Sequence, residues 1–93
     1  MKILVSDQVK AWIISLSPET KHRVRLALRE LAADQASGMK PLQGPFEGFY
    51  RLQVGGYRII FSYQAGQAIH LDYADMRDVV YERFLEIVSR DRN

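Results

Sequence analysis

The sequence contains no cysteine and only two histidines among its 93 residues. Without thiols the chain can form neither a disulfide nor a thiolate metal site, which is typical of proteins of the reducing cytoplasm. Two separate histidines make no paired ligand motif, so we expect no metal ion, and no sequence motif indicates a cofactor. An apolar run of membrane-spanning length and a signal-peptide pattern are also missing, so we expect a cytoplasmic protein without membrane association.

The composition is that of an ordinary globular domain, with 47% hydrophobic and 26% charged residues. A chain of this length predicts a single domain spanning residues 1–93. The formal net charge is only +2, but nine of the thirteen basic residues are arginine. Arginine is the side chain best suited to two-pronged contact with phosphate or carboxylate, so the charge permits a nucleic-acid partner without requiring one.

Hydrophobic periodicity predicts seven elements in the order β-α-α-β-β-β-α. The predicted strands cover residues 1–6, 49–54, 57–63 and 68–74, and the predicted helices cover residues 7–16, 18 to about 36, and 77–90. Ser17 and Pro18 are a helix-start signal, Gly38 is expected to end the second helix, and residues 38–48 are expected to form a loop. This order indicates an α+β fold, a small antiparallel sheet with an N-terminal helical hairpin and a C-terminal helix packed on one face.

The stretch YRLQVGGYRIIFSY, residues 50–63, is typical of a tight β-hairpin. A two-residue turn at Gly55 and Gly56 pairs Val54 with Tyr57, and counting outward pairs the other positions. The apolar residues then share one face, which we expect to pack on the helices. The opposite face collects Arg51, Gln53 and Arg58.

The next hairpin is expected to turn at residues 65–67, with Gly66 in a positive-φ conformation. This register pairs Tyr63 with Ile69 and Ser62 with His70. Further along it pairs Ile59 with Tyr73, Arg58 with Ala74, and Ile60 with Asp72. His70 and Asp72 would thereby lie within a few ångströms of the arginines, beside exposed Phe49 and Ile60. Such a surface is either an ordinary solvated face or an RNA-binding surface on which bases stack.

Two segments resemble the RelE/ParE superfamily of toxins from toxin–antitoxin pairs, and the similarity is closer to RelE. LQGPFEGFYRLQVGGYRIIFSY is similar to the central signature of that family, and DMRDVVYERF is similar to its closing segment. The resemblance implies a RelE-like fold and a ribosome-dependent messenger-RNA endonuclease that inhibits translation. It also implies a cognate antitoxin, the ribosome and messenger RNA as partners, and a toxin–antitoxin hetero-oligomer.

By this resemblance Arg58, Arg77 and Tyr81 are candidate catalytic residues, and Arg51 stands where a lysine is often found. RNA cleavage by the 2′-hydroxyl requires loss of that proton, stabilisation of charge around phosphorus and protonation of the 5′-oxygen. The two arginines suit the phosphate, and Tyr81 suits base stacking or proton relay. Candidate substrate-binding residues are Arg51, Gln53 and His70.

This sequence departs from the family pattern at two positions. Gln53 stands where some members have a second lysine, and Asp75 stands where some have arginine or histidine. The resemblance therefore leaves the group that moves the proton unassigned.

Two other functions stay open at this point. One is a ParE-like toxin that binds and inhibits DNA gyrase, and the other is a catalytically silent antitoxin-binding module. The last helix carries an apolar stripe that either packs in the core or is contacted, or displaced from the sheet, by an antitoxin helix. That stripe consists of Val80, Phe84, Leu85, Ile87 and Val88.

Overall fold

A computed structural model describes residues 1–91 of the chain. Its elements are β1 (Lys2–Val5), α1 (Asp7–Ser15), α2 (Pro18–Ala32), β2 (Met39–Pro41), a short 3₁₀ helix (Gly44–Phe46), β3 (Tyr50–Val54), β4 (Tyr57–Gln64), β5 (Ala68–Met76) and α3 (Val80–Asp91). The strands form one sheet in the order β1-β5-β4-β3-β2, in which β1 runs parallel to β5 and the other pairs are antiparallel. The α+β class and the predicted element order are confirmed, with one additional strand, but the sheet is mixed rather than antiparallel because β1 pairs in parallel with β5. None of the helices in the described part of the chain is long and apolar enough to cross a membrane.

The additional strand is β2, which lies in the segment that the sequence assigned to a loop. Met39 pairs with Leu52 and Pro41 pairs with Tyr50, so β2 forms an edge of the sheet beside β3. Three residues that end in proline give no alternating pattern, and an edge strand is where proline is tolerated because it donates no ladder hydrogen bond. The loop prediction was therefore wrong at residues 39–41.

Both N-terminal helices begin with serine caps. The Ser6 and Ser17 hydroxyls accept hydrogen bonds from the backbone N–H groups of Val9 and Thr20, each at 3.2 Å. Pro18 occupies the first turn of α2, as predicted.

The end of α2 differs from the prediction. The helix ends at Ala32 rather than near residue 36, and the left-handed residue that follows its end is Asp34, with φ of 58°. Gly38 also has a positive φ, of 75°, but it lies beyond the end of the helix. The N–H of Gln35 then donates to the Glu30 carbonyl at 2.8 Å, which satisfies a carbonyl of the last turn. Gly38 instead precedes β2, and its carbonyl accepts a hydrogen bond from the N–H of Gln53.

Alternate residues of the strands belong to two separate hydrophobic clusters, one on each face of the sheet. On one face of the sheet, α1 and α2 bury Val9, Val24, Leu31, Leu52, Val54, Ile59, Phe61, Ile69, Leu71 and Ala74. On the other face, which we call the α3 face, Ile60 and Tyr73 pack against Val80 and Phe84 of α3. The expectation that all helices share one face was therefore wrong for α3. Ile60 is fully buried and Phe49 packs edge-on against Phe84, so neither is the exposed stacking surface that the sequence suggested.

The first hairpin has the predicted register, with Val54 opposite Tyr57 and Gln53 opposite Arg58. Gly55 takes φ of +57°, a left-handed conformation that glycine adopts without strain. The second hairpin also begins as predicted, with Ser62 opposite His70.

A β-bulge then shifts the second register by one residue, because Asp72 has no partner on β4. Beyond the bulge Ile59 pairs with Ala74, Ile60 with Tyr73, and Arg58 with Asp75, so the three predicted pairs in this region were wrong.

Candidate functional site

The candidate site is built from two cross-strand rows on the α3 face. Gln53, Arg58 and Asp75 lie side by side on β3, β4 and β5, and Lys40 lies beside Arg51 on β2 and β3. Neighbouring strands are about 4.8 Å apart, so each row places its side chains within mutual reach. Strand alternation points these residues away from α1 and α2.

Arg58 is held by the turn that precedes it. Its Nη1 donates to the carbonyl oxygens of Gly55 at 3.0 Å and Tyr57 at 2.8 Å. These bonds use one of the three guanidinium nitrogens and leave the others to a ligand. The half-buried Arg58 is thus a cation whose position is set by the hairpin backbone.

Asp75 is the carboxylate of the site, and its side chain is only 14% exposed. Its Oδ2 accepts hydrogen bonds from Arg83 Nη1 at 2.8 Å and from the Tyr73 hydroxyl at 3.1 Å, and its Oδ1 accepts the Met76 N–H at 2.8 Å. Burial by itself raises the pKa of Asp75, but the hydrogen bonds from Met76, Arg83 and Tyr73 outweigh it and hold that pKa below its usual value. Burial and the bond to Asp75 raise the pKa of the Tyr73 hydroxyl.

Arg51 and Gln53 contact each other on β3, where Arg51 Nη1 donates to Gln53 Oε1 at 3.3 Å. The structure brings both beside Arg58, as the sequence predicted. Two further cations of this surface, Lys40 and Arg83, were missed. Lys40 belongs to the unrecognised strand β2, and Arg83 follows the tyrosine of the closing motif by two residues, which was the available signal.

Arg77 lies past the end of β5, at the same turn that holds Arg58. Its backbone N–H donates to the Gly56 carbonyl at 2.9 Å, and its side chain is 65% exposed with Nε 3.6 Å from an Asp78 carboxylate oxygen. A groove of about 540 Å³ opens here, lined by Gly55, Gly56, Tyr57, Met76, Arg77 and Asp78. The two candidate catalytic arginines therefore border the same turn.

Tyr81 is half-buried at the start of α3, where its ring lies 6.2 Å from that of Phe46, measured between centroids. Among residues 1–91, its hydroxyl forms no hydrogen bond, and the ring packs on the cluster under α3. The structure thus gives Tyr81 a packing role and does not bring it into contact with Arg58.

His70 lies apart from the arginines. It is opposite Ser62, four residues along β4 from Arg58, which corresponds to about 13 Å at about 3.3 Å per residue. Its Nδ1 is 2.6 Å from one oxygen of Asp72, whose other oxygen accepts the Ser62 hydroxyl at 2.8 Å. His70 and Asp72 are therefore part of the bulge, and the predicted common centre with the arginines was wrong.

The donor set of the site suits an anion. Lys40, Arg51 and Arg58 lie on neighbouring strands of one face, and Arg83 reaches the same face from α3, where it binds the Asp75 carboxylate. Within residues 1–91, no three side chains of the metal-ligating types form a cluster. Guanidinium groups favour phosphate and carboxylate ligands, so a phosphate group fits the chemistry of this surface.

Comparison with known proteins gives matches among solved structures, whereas protein-family models and curated proteins give none. The YoeB/ParE toxin from Agrobacterium tumefaciens is similar with a TM-score of 0.70 and 13% identity, over 83% of this chain and 99% of that one. The toxin–antitoxin complex RelBE2 from Mycobacterium tuberculosis is similar with a TM-score of 0.69 and 18% identity, over 82% of this chain and 96% of that one. The RelB–RelE complex from Methanococcus jannaschii is similar with a TM-score of 0.67 and 20% identity, over 87% of this chain and 98% of that one. The chain therefore has the fold of the RelE-, YoeB- and ParE-type toxins.

Proposed function

We propose that this chain is the toxin of a type II toxin–antitoxin pair, a single RelE-like domain over residues 1–93 that cleaves messenger RNA on the ribosome. The observation that carries the proposal is the cluster of Lys40, Arg51, Arg58 and Arg83 on one face of a fold shared with such toxins. Cleavage within the message would block translation. We place the function in the cytoplasm.

In the proposed reaction the 2′-oxygen attacks the adjacent phosphorus, the bond to the 5′-oxygen breaks, and a 2′,3′-cyclic phosphate remains. The proton of the 2′-hydroxyl leaves during attack, and the 5′-oxygen gains one as it departs. Arg58 is fixed by the turn before substrate arrives, so it can hold the non-bridging oxygens without reorganising as their charge grows. Arg77 would hold the same or the neighbouring phosphate, and the half-buried ring of Tyr81 would support a base.

The cognate antitoxin has a candidate docking surface at the other edge of the sheet. Leu4, Val5, Ile14 and Leu26 are exposed apolar residues, and β1 is an edge strand that can pair with an added strand. Two grooves of about 400 and 380 Å³ meet at Val5, and their rims carry Lys10 in the first and Arg25 and Arg29 in the second. An apolar segment with acidic flanks fits this surface in a hetero-oligomer.

The stripe on α3 fits the antitoxin less well than the sequence suggested. Val80 and Phe84 are buried in the cluster under α3 and Val88 is half-buried against it, whereas Leu85 and Ile87 are 40% and 37% exposed. Most of the stripe is thus occupied by the sheet.

Induced expression tests the function, with Arg58→Ala expressed at the same level as the control. We expect the parent to stop incorporation of labelled amino acids, and primer extension to show new 5′ ends within translated codons. The control should show neither effect. Loss of DNA synthesis before protein synthesis would contradict the proposal and favour inhibition of gyrase. A parent that neither arrests growth nor produces new 5′ ends would favour a silent binding module.

A further inference from the structure

We propose that Arg83 is a second phosphate-binding residue of the site, and that Asp75 is the positioning residue that holds it there. The inference rests on the proposed function and adds a residue to it. It concerns a single connected group: Arg83 on α3, Asp75 on β5 and Arg58 on β4.

Asp75 has two arginine neighbours, Arg58 across the strands and Arg83 on α3. Asp75 is the direct cross-strand partner of Arg58, and the Cβ atoms of such a pair are about 4.5–5.5 Å apart. Arg83 reaches the same carboxylate from α3, with Nη1 2.8 Å from Oδ2. The guanidinium groups of Arg58 and Arg83 can therefore face one phosphate from two directions.

Asp75 is arranged as a fixed anchor. Its Oδ1 accepts a hydrogen bond from the Met76 N–H, and its Oδ2 accepts hydrogen bonds from the Tyr73 hydroxyl and from Arg83. With only 14% of the side chain exposed, the carboxylate has little freedom to turn away. An incoming phosphate would meet a carboxylate whose two oxygens already accept hydrogen bonds.

Arg83, in contrast, keeps most of its binding capacity. Its side chain is 56% exposed, and its hydrogen bond to Asp75 uses one nitrogen of a group that carries five N–H donors. Its other N–H groups are available to a ligand. Asp75 thus fixes the direction of the guanidinium without occupying it.

The pairing pattern distinguishes this arrangement from simple charge neutralisation. Arg58 is the nearest cross-strand cation to Asp75, yet its Nη1 bonds to backbone carbonyls of the turn. The carboxylate instead binds the arginine that comes from a different element. Two guanidinium groups and one carboxylate leave a net charge of +1, and Lys40 and Arg51 add to it.

The test compares variants of the purified protein on ribosome-bound message and on a short single-stranded RNA. Arg83→Gln removes the cation, Arg83→Lys keeps the charge, and Asp75→Asn removes only the anchor. Arg90→Gln is the matched control, because Arg90 is exposed in the last turn of the same helix. Arg58→Ala reports on the proposed function itself.

We expect Arg83→Gln to lower the cleavage rate about 10- to 100-fold, as loss of a charged hydrogen bond typically does. The slope of log affinity against log salt concentration should fall by about 0.7, the value for one phosphate contact on a single strand. Arg83→Lys should restore the slope but only part of the rate, because a point charge lacks the fork geometry. Asp75→Asn should leave the salt slope unchanged and lower kcat. If Asp75 had a purely structural role, its loss would not lower kcat while leaving the salt slope unchanged.

Two outcomes would overturn the inference while the function stands. In the first, Arg83→Gln cleaves like the parent and Arg90→Gln, whereas Arg58→Ala loses cleavage. In the second, Arg83→Gln and Arg83→Lys lose melting temperature and activity in proportion, with the salt slope unchanged, which would make the ion pair structural. A parent protein that neither binds the RNA nor cleaves ribosome-bound message would refute the proposed function as well.

Discussion

Replacing Arg58 by alanine separates the cost to stability from the cost to catalysis. The side chain is half-buried and donates two hydrogen bonds to the carbonyls of Gly55 and Tyr57. A hydrogen bond contributes about 0.5–1.5 kcal/mol net, and water can replace these donors at the hairpin turn, so we expect a loss of about 1 kcal/mol. That loss leaves the folded state populated at 25 °C in a domain of ordinary stability.

The catalytic cost should be larger than the structural one. Removal of one preorganised donor to a developing oxyanion typically raises the barrier by about 2.7–4 kcal/mol, or about 100- to 1,000-fold in rate. Arg58→Lys should recover only part of this, since lysine cannot reproduce a two-pronged contact. Single-turnover cleavage of ribosome-bound message gives the rate, and urea denaturation gives the free energy of unfolding. An Arg58→Ala protein that unfolds like the parent and cleaves at the parental rate would refute the assignment.

Four further outcomes are expected. Tyr81→Phe should cleave at close to the parental rate and Tyr81→Ala should be slower, because the half-buried ring rather than the unbonded hydroxyl does the work; equal losses would implicate the hydroxyl. Ile60→Ala should cost about 2–5 kcal/mol in urea denaturation, since Ile60 is fully buried, and a cost near zero would contradict a second hydrophobic cluster. Val5→Asp should lower the affinity for the antitoxin at least about tenfold in calorimetry, because an unpaired charge would be buried in the interface. An unchanged affinity would show that β1 is not part of the interface. The stabilisation that Asp75 provides relative to Asp75→Asn should be complete above the ordinary carboxyl value of 3.8 and vanish as the pH falls through its lowered pKa. Urea denaturation at neutral and strongly acidic pH checks this, and a difference that does not change with pH would be inconsistent with it.

The first hairpin was predictable because local rules determine it. A Gly-Gly turn between two alternating runs allows one register that keeps Leu52 and Ile59 together, and that register is the one observed. The helix starts at Ser6 and Ser17 depend on residues within three positions of the cap, so they too can be read from the sequence.

The second hairpin shows where such rules stop. Its loop and first pairs follow from local sequence, but at the bulge the Asp72 carboxylate contacts Ser62 on the neighbouring strand and His70 on its own strand. Those contacts exist only after the sheet has formed. The resulting one-residue shift moved Asp75, rather than Ala74, opposite Arg58. One unpredicted residue thus changed the composition of the candidate site.

The sequence pattern also did not predict which face of the sheet α3 covers. Ile60 was predicted to face outward and Tyr73 to lie opposite Ile59 on the core face, but both lie on the face that α3 covers. Periodicity identifies two faces of a strand, but it does not say which helix reaches which face. Arg83 could enter the site only once that choice was known.

The unequal size of the two hydrophobic clusters has a consequence for how the protein fails on heating. Within residues 1–91 the cluster beneath α3 has four buried members and the one beneath α1 and α2 has ten, so α3 packs on the smaller of the two clusters. Segments held by fewer buried contacts open at lower free energy than the whole protein. We therefore expect α3 to exchange its amide hydrogens through local opening, and each opening carries Arg83 away from Asp75. Inactivation on heating would then precede the main unfolding transition, and the sheet would outlast the site built on it.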